Sequence, residues 1–325
     1  MAETLSRGWR PGRASGLAGL VLGCTIVTLA SGCSTGSAAS SATPFDGARA
    51  WRDLEAQVAL GPRPSGSEAI EGTRKYIEAQ LVEAGLAPVR EPFVERSPAG
   101  EIEFCNVYAD LAGRSDGGAP PILILLSHFD TKRLGPSFVG ANDGGSSTAV
   151  LLELARVLAR QGPRAMTIRF LFVDGEEAVG AVWEDPDNRY GSRHHAARIH
   201  ADADLAERVK ACVVIDMVGD KDLDLVLDRN SSKRLLDVFF DTAKAHKLPI
   251  GLGRKVDNIS DDHLSFRTYN VEAADLIDLT YGPGNSYWHT DEDTLDKCSV
   301  ESLQAIGDLV LLALPAVEAR YVPGG

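Results

Sequence analysis

Residues 122–130 read Ile-Leu-Ile-Leu-Leu-Ser-His-Phe-Asp. An unbroken apolar run ending in polar residues predicts a strand covered on both faces, since a half-exposed strand would alternate. Two prolines, Pro120 and Pro121, mark its start. Downstream, residues 148–159 carry apolar side chains at helical spacing. Residues 167–173 (Thr-Ile-Arg-Phe-Leu-Phe-Val) then form a second buried run, which leads into Asp174-Gly175-Glu176-Glu177. A strand, a helix and a strand of this kind make a parallel crossover, and that decides the fold class.

The alternation continues outward in both directions. On the N-terminal side the spacing predicts helices over 45–60 and 70–83, parted by the breaker Gly-Pro-Arg-Pro-Ser-Gly-Ser (61–67). Two antiparallel strands, 89–94 and 101–111, follow around Ser-Pro-Ala-Gly (97–100). On the C-terminal side the pattern predicts a helix over 203–209, strands over 211–215 and 223–227, a helix over 235–245, a strand over 273–277 and a closing helix over 299–314. The expected fold is α/β: a single domain with a twisted, mixed central sheet and helices on both faces. With no internal repeat and no second linker, the catalytic domain is expected to run from 45 to 325.

The chain has 325 residues, with 33 Lys and Arg against 46 Asp and Glu, a net charge of −13, 44% hydrophobic and 24% charged residues. This composition excludes a disordered chain, a collagen-like fibre and a multispan membrane protein. The acidic balance argues against a nucleic-acid partner, which would require basic surface. Residues 1–32 differ from the rest. Arg7, Arg10 and Arg13 precede an apolar run over 17–30, and Ala30-Ser31-Gly32 leads to Cys33. The run is short of the roughly 20 residues a spanning helix needs, so it predicts a signal peptide. Its end resembles a bacterial lipobox, which implies cleavage before Cys33 and lipidation of that cysteine. Residues 33–44, rich in Ser, Ala, Thr and Gly, then read as a flexible tether. The expectation is an exported protein of the bacterial cell envelope, touching the membrane only through a lipid anchor. The interior cysteines Cys105, Cys212 and Cys298 allow at most one internal disulfide, and Cys212 reads as core.

Polar residues collect where the buried strands end. His128 and Asp130 follow the first strand, Glu176 and Glu177 the second, and Asp216 the third, while the last leads through Tyr-Gly-Pro-Gly-Asn-Ser-Tyr to Trp288-His289. Asp143 lies in the loop Gly140-Ala-Asn-Asp-Gly-Gly145 between the first two. In open α/β sheets the ligand crevice lies at these carboxyl ends. Each residue alone reads as a cap or a solvated strand end. Together, two imidazoles and five carboxylates form a mixed N/O donor set that suits zinc, and without a cation they would crowd like charges. Glu176 and Glu177 point in different directions, so one can bind metal while the other faces the reacting group as base or acid. Neither HEXXH nor GxSxG occurs, and there is no P-loop or GxGxxG.

On these residues the chain resembles the glutaminyl-peptide cyclotransferases and the zinc aminopeptidases that share their fold. The matching motifs are His-Phe-Asp-Thr-Lys (128–132), Phe-Val-Gly-Ala-Asn-Asp (138–143), the helix at 151–158, Asp-Gly-Glu-Glu-Ala (174–178), Tyr-Gly-Ser-Arg-His (190–194), Asp-Asp-His (261–263) and Trp-His-Thr (288–290). They run in order over about 45–315. The resemblance implies Asp143, Glu177 and His289 as ligands of a catalytic zinc. His128 and Asp216 stand where the aminopeptidases bind a second zinc, with Asp143 bridging. It further implies Glu176 as the proton-shuttling acid/base, flanked by Asp261 and Asp216 in the catalytic set, and Asp130 as an orienting residue behind the ligands. Lys132, Trp183, Trp288 and Asp261 resemble the cyclotransferase branch. The implied activity is zinc-dependent conversion of N-terminal glutamine of peptides to pyroglutamate, with one zinc. The alternative is a two-zinc aminopeptidase. A third reading, a binding lipoprotein on a degenerate enzyme scaffold, sits poorly with a complete ligand and base set.

Overall fold

The computed structural model describes residues 43–115 and 118–322. The signal peptide, Cys33 and all but the last two residues of the tether lie outside them. Helices α1 (Gly47–Ala59) and α2 (Glu68–Glu83) come first, followed by β1 (Val89–Ser97), β2 (Gly100–Leu111) and β3 (Ile122–His128). Then come α3 (Ser147–Gln161), β4 (Thr167–Val173), α4 (Tyr190–Ala201), α5 (Ala203–Arg208), β5 (Val209–Asp216) and β6 (Asp224–Asp228). The chain continues through α6 (Lys233–His246), β7 (Gly251–Asp257), α7 (His263–Arg267), β8 (Glu272–Ile277) and α8 (Val300–Tyr321). Sequence chemistry sets several boundaries. The side chains of Asp46, Ser67 and Ser299 accept the backbone N–H groups of Arg49, Ile70 and Ser302 and so cap α1, α2 and α8.

Six strands form the main sheet in the order β1-β2-β4-β3-β5-β8. The β1–β2 and β2–β4 pairs are antiparallel, whereas β3 pairs in parallel with both β4 and β5, and β5 pairs in parallel with β8. This is the expected mixed sheet. Strands β3 and β4 are buried along their whole length, and their side chains alternate between two cores. Leu123, Leu125, Ile168, Phe170 and Phe172 belong to the larger core, which also holds residues of α1, α2, α3, α6 and α8. Ile122, Ile124, Leu126, Leu171 and Val173 belong to the opposite one, with Ala196 and Ile199 of α4 and Phe266 of α7. From β3 the chain moves to β4 on one side and later to β5 on the other. The carboxyl end of β3 is therefore a topological switch point, where a crevice opens.

One expectation needs correction, and two elements escape the sequence pattern. The strand expected over 223–227 exists as β6, but it lies outside the main sheet and pairs with β7 in a separate two-stranded parallel sheet. The segment of β7, Gly-Leu-Gly-Arg-Lys-Val-Asp, has the glycines and charges that ordinarily mark a loop, so its pattern predicts no strand. Nor does the pattern predict helix α4, whose polar sequence has little apolar periodicity. Cys105, Cys212 and Cys298 are all buried as free thiols.

Candidate active site

The four parallel strands deliver their following residues to one edge. His128 is the last residue of β3 and Asp216 the last of β5, while Glu176 and Glu177 follow β4. Asp143 comes from the segment Ala141–Ser146, which leads into α3 through a kink at Asp143 and Gly144. Gly144 has φ 78°, and a Cβ there would lie 2.7 Å from the Asp130 carbonyl oxygen and 3.0 Å from His128 Cε1. Only glycine fits so close a passage.

Two donor groups result, Asp143–Glu177–His289 and His128–Asp143–Asp216, each with its donor atoms within 4.8 Å of one another. Asp143 serves both. Its Oδ1 lies 3.3 Å from His128 Nε2 and its Oδ2 3.2 Å from His289 Nε2. His289 Nε2 is also 3.1 Å from Glu177 Oε1, and His128 Nε2 is 3.1 Å from Asp216 Oδ1. The sequence-derived ligand candidates are thus brought together, and the divergence expected of Glu176 and Glu177 is present. Glu177 faces His289, whereas Glu176 faces the cavity and the other ring nitrogen of His128, at 3.9 Å.

Electrostatics fit a cation here. Burial would lower the pKa of His289, but hydrogen bonds to Asp143 and Glu177 more than offset this and raise it to about 10. Burial likewise opposes protonation of His128, and Asp216, Asp130 and Asp143 overcome it. Both imidazoles therefore hold protons that a divalent ion would replace. Asp143 Oδ2 is buried and meets no partner beyond the His289 ring, 3.2 Å away, as a donor atom awaiting a metal would be. The mixed N/O set suits zinc.

Glu176 is different. Burial, reinforced by Asp261, Glu177 and Asp262, pushes its carboxyl well above the ordinary carboxylate range, against the pull of His128. Burial also raises Asp216, to about 7, with His128 again opposing. A base raised above the ordinary carboxylate range suits proton transfer better than a free carboxylate does. Glu176, Asp216 and Asp261 line a cavity of about 220 Å³ whose remaining wall is largely apolar: Trp183, Met217, Ile259, Ile277, Leu279 and Trp288. Trp288, 37% exposed, stacks on the His289 ring with centroids 4.1 Å apart. Lys132 stands behind the ligands rather than in the cavity wall. Its Nζ is 3.4 Å from Glu177 Oε2 and 6.0 Å from the Trp183 ring centroid.

Buried residues hold these groups from beneath. Asp130 accepts the backbone N–H groups of Glu176 and Glu177 at 3.1 and 3.2 Å. Arg63, fully buried, donates to the carbonyls of Phe129 (2.7 Å), Val139 (2.6 Å) and Gly140 (2.9 Å), tying the end of β3 to the approach of Asp143. Burial lowers its pKa to about 10, while Asp293, Asp130 and Asp143 oppose the shift, so the guanidinium stays charged beneath the acids. Sequence pattern does not single out Arg63, because it sits in the segment that reads as a breaker between α1 and α2. Arg63→Met strands those carbonyls and is expected to cost about 3–5 kcal/mol of stability, measured by denaturant unfolding.

A profile of Peptidase family M28 matches residues 106–314. The glutaminyl-peptide cyclotransferase of Drosophila melanogaster is 29% identical over 292 residues, covering 80% of each chain. The glutaminyl-peptide cyclotransferase-like protein of Mus musculus is 30% identical over 262 residues, covering 71% of this chain and 66% of that protein. Among solved structures, Acidobacteriales bacterium glutaminyl cyclase superposes with a TM-score of 0.80 at 34% identity, covering 88% of this chain and 99% of that one. Members of the matched family are generally zinc-dependent. The profile takes in both donor groups, Glu176 and the strands that carry them, and on that match the chain belongs to Peptidase family M28.

Proposed function

We propose that this protein is a zinc-dependent glutaminyl-peptide cyclotransferase, which converts the N-terminal glutamine of peptides to pyroglutamate and releases ammonia. The observation that carries the reading is the cavity itself. It is small, walled by Trp183 and Trp288, and sets the raised carboxyl of Glu176 beside the donor group Asp143–Glu177–His289. The similarity to cyclotransferases and to a bacterial glutaminyl cyclase supports it.

Asp143, Glu177 and His289 would hold one zinc, which when bound supplies Lewis-acid polarisation of the side-chain carboxamide. Glu176 takes a proton from the α-amino nitrogen as that nitrogen forms its bond to the amide carbon. It then returns a proton to the departing nitrogen, and the carbon–nitrogen bond breaks with loss of ammonia. Asp261, at the cavity wall, shares the acidic environment that keeps Glu176 protonatable. The tryptophans keep the glutamine side chain folded toward its own amine and exclude water, which would otherwise deamidate it. His128 and Asp216 remain as a second donor pair on Asp143, the arrangement a two-zinc aminopeptidase would use. The substrates are peptide N-termini. The enzyme acts in the cell envelope, anchored through Cys33, a reading supported by the basic and apolar leader that precedes it.

The purified protein is expected to convert a Gln-initiated peptide to its pyroglutamyl form, seen by mass spectrometry as loss of one ammonia, and to leave a Leu-initiated peptide intact. Metal analysis is expected to find one tightly held zinc per chain. Loss of the first residue from the Leu-peptide, with no pyroglutamate from the Gln-peptide, would overturn the reading in favour of the aminopeptidase.

A further inference from the structure

Among the described residues, three buried aspartates each close around two successive backbone amides. Asp130 does so at Glu176 and Glu177, and Asp187 at Val179 (3.1 Å) and Gly180 (2.7 Å), at the base of the loop that carries Trp183. The third is Asp293, only 1% exposed. Its Oδ1 accepts the N–H of Asn142 at 2.7 Å and its Oδ2 the N–H of Asp143 at 3.1 Å. The Tyr281 hydroxyl donates to Oδ1 at 2.8 Å. Asp293 itself sits in the turn after His289, where its N–H donates to the Thr290 carbonyl at 3.1 Å.

These hydrogen bonds join two segments far apart in sequence, one bearing Asp143 and the other His289. Asp143 lies at a kink, with φ −78° and ψ 106°, so its backbone departs from regular helical geometry at the ligand itself. We propose that Asp293 is a positioning residue for the metal centre, locking the backbone of Asp143 to the loop of His289 so that the two ligands keep one spacing. This rests on reading Asp143, Glu177 and His289 as metal ligands.

The chemistry of the fork makes the carboxylate necessary. Three donors converge on Asp293, and a carboxylate accepts all of them. Asparagine offers one oxygen. If that oxygen still accepted from Asn142 and Tyr281, the NH₂ group would face the N–H of Asp143, donor against donor. The hydrogen bond that breaks is then the one to Asp143, the ligand residue.

The test compares wild type, Asp293→Asn and Tyr281→Phe. Each is purified as holoenzyme, stripped with chelator, and titrated with zinc against a competing chelator, with circular dichroism and Tm recorded on the metal-free protein. Asp293→Asn is expected to bind zinc about 10–100-fold more weakly, the range for loss of a residue that orients a ligand. Its metal-free spectrum is expected to remain wild-type. Tyr281→Phe removes one donor but spares both backbone hydrogen bonds, so its effect is expected to be smaller yet measurable. Zinc affinity equal to wild type in Asp293→Asn overturns the proposal, whatever happens to Tm, because a merely structural role predicts that result. Should Asp293→Asn not fold, unchanged zinc affinity in Tyr281→Phe overturns it instead. A wild-type protein that takes up no zinc overturns the ligand reading, and this proposal with it.

Discussion

Glu176→Gln is expected to leave zinc content unchanged and to lower kcat by about 10²–10⁴-fold, the usual contribution of a positioned acid/base. The substitution preserves shape and removes only the ability to exchange a proton. Glu176 faces the cavity and the far side of His128, whereas the ligand contacts of His289 are with Asp143 and Glu177. Metal binding is therefore expected to survive. A loss of 10³ corresponds to about 4 kcal/mol of transition-state stabilisation. The pH profile gives a second readout. The base must be ionised to accept a proton, and burial beside Asp261 and Glu177 holds its carboxyl well above the ordinary value. Wild-type kcat/KM is thus expected to climb as pH rises through that elevated value, and the acid limb to disappear in the variant. Retained turnover in Glu176→Gln would assign the proton transfer elsewhere.

Asp143→Ala is expected to abolish both zinc binding and turnover. Asp143 is the residue shared by the two donor groups, with one oxygen toward His128 and the other toward His289. Its loss leaves a two-residue remnant on each side, too few to hold a catalytic zinc. The metal-free variant need not be less stable than metal-free wild type, since the change also removes one buried carboxylate from a crowded group. Zinc response discriminates. Wild type is expected to gain about 2.7 kcal/mol at a free zinc concentration 100 times Kd, and the variant nothing. A variant that keeps one zinc and its activity would show that Asp143 is not a ligand.

The sequence made the covered strands legible because β3 and β4 are apolar on both faces, and their ends pointed to the crevice. It also supplied the donor residues, since imidazoles and carboxylates at successive strand ends have few structural reasons to gather. What it hid were residues defined by partners instead of pattern. Asp293 follows Asp291 and Glu292 in an acidic run that reads as a solvated surface. Only folding shows that Asp293 is buried and turned toward two amides. Arg63 was hidden between two prolines for the same reason, because its bonds run to carbonyls remote in the chain. The pairing of β6 with β7 depends on a partner that β-propensity alone does not reveal.

The forks at Asp130, Asp187 and Asp293 carry a further consequence, for timing. Connecting loops are ordinarily the first parts of a protein to open. Here the loops that surround the cavity are fastened by buried carboxylates to one another and to the strands, so the conformational entropy of ordering them is lost once, when the chain folds. Each arriving peptide then has little left to organise, and its binding free energy is not diminished by that ordering. The same rigidity has a cost in breadth. With the segments of Asp143, Glu176 and Glu177 pinned in this way, the cavity of about 220 Å³ is expected to take a larger first residue less well.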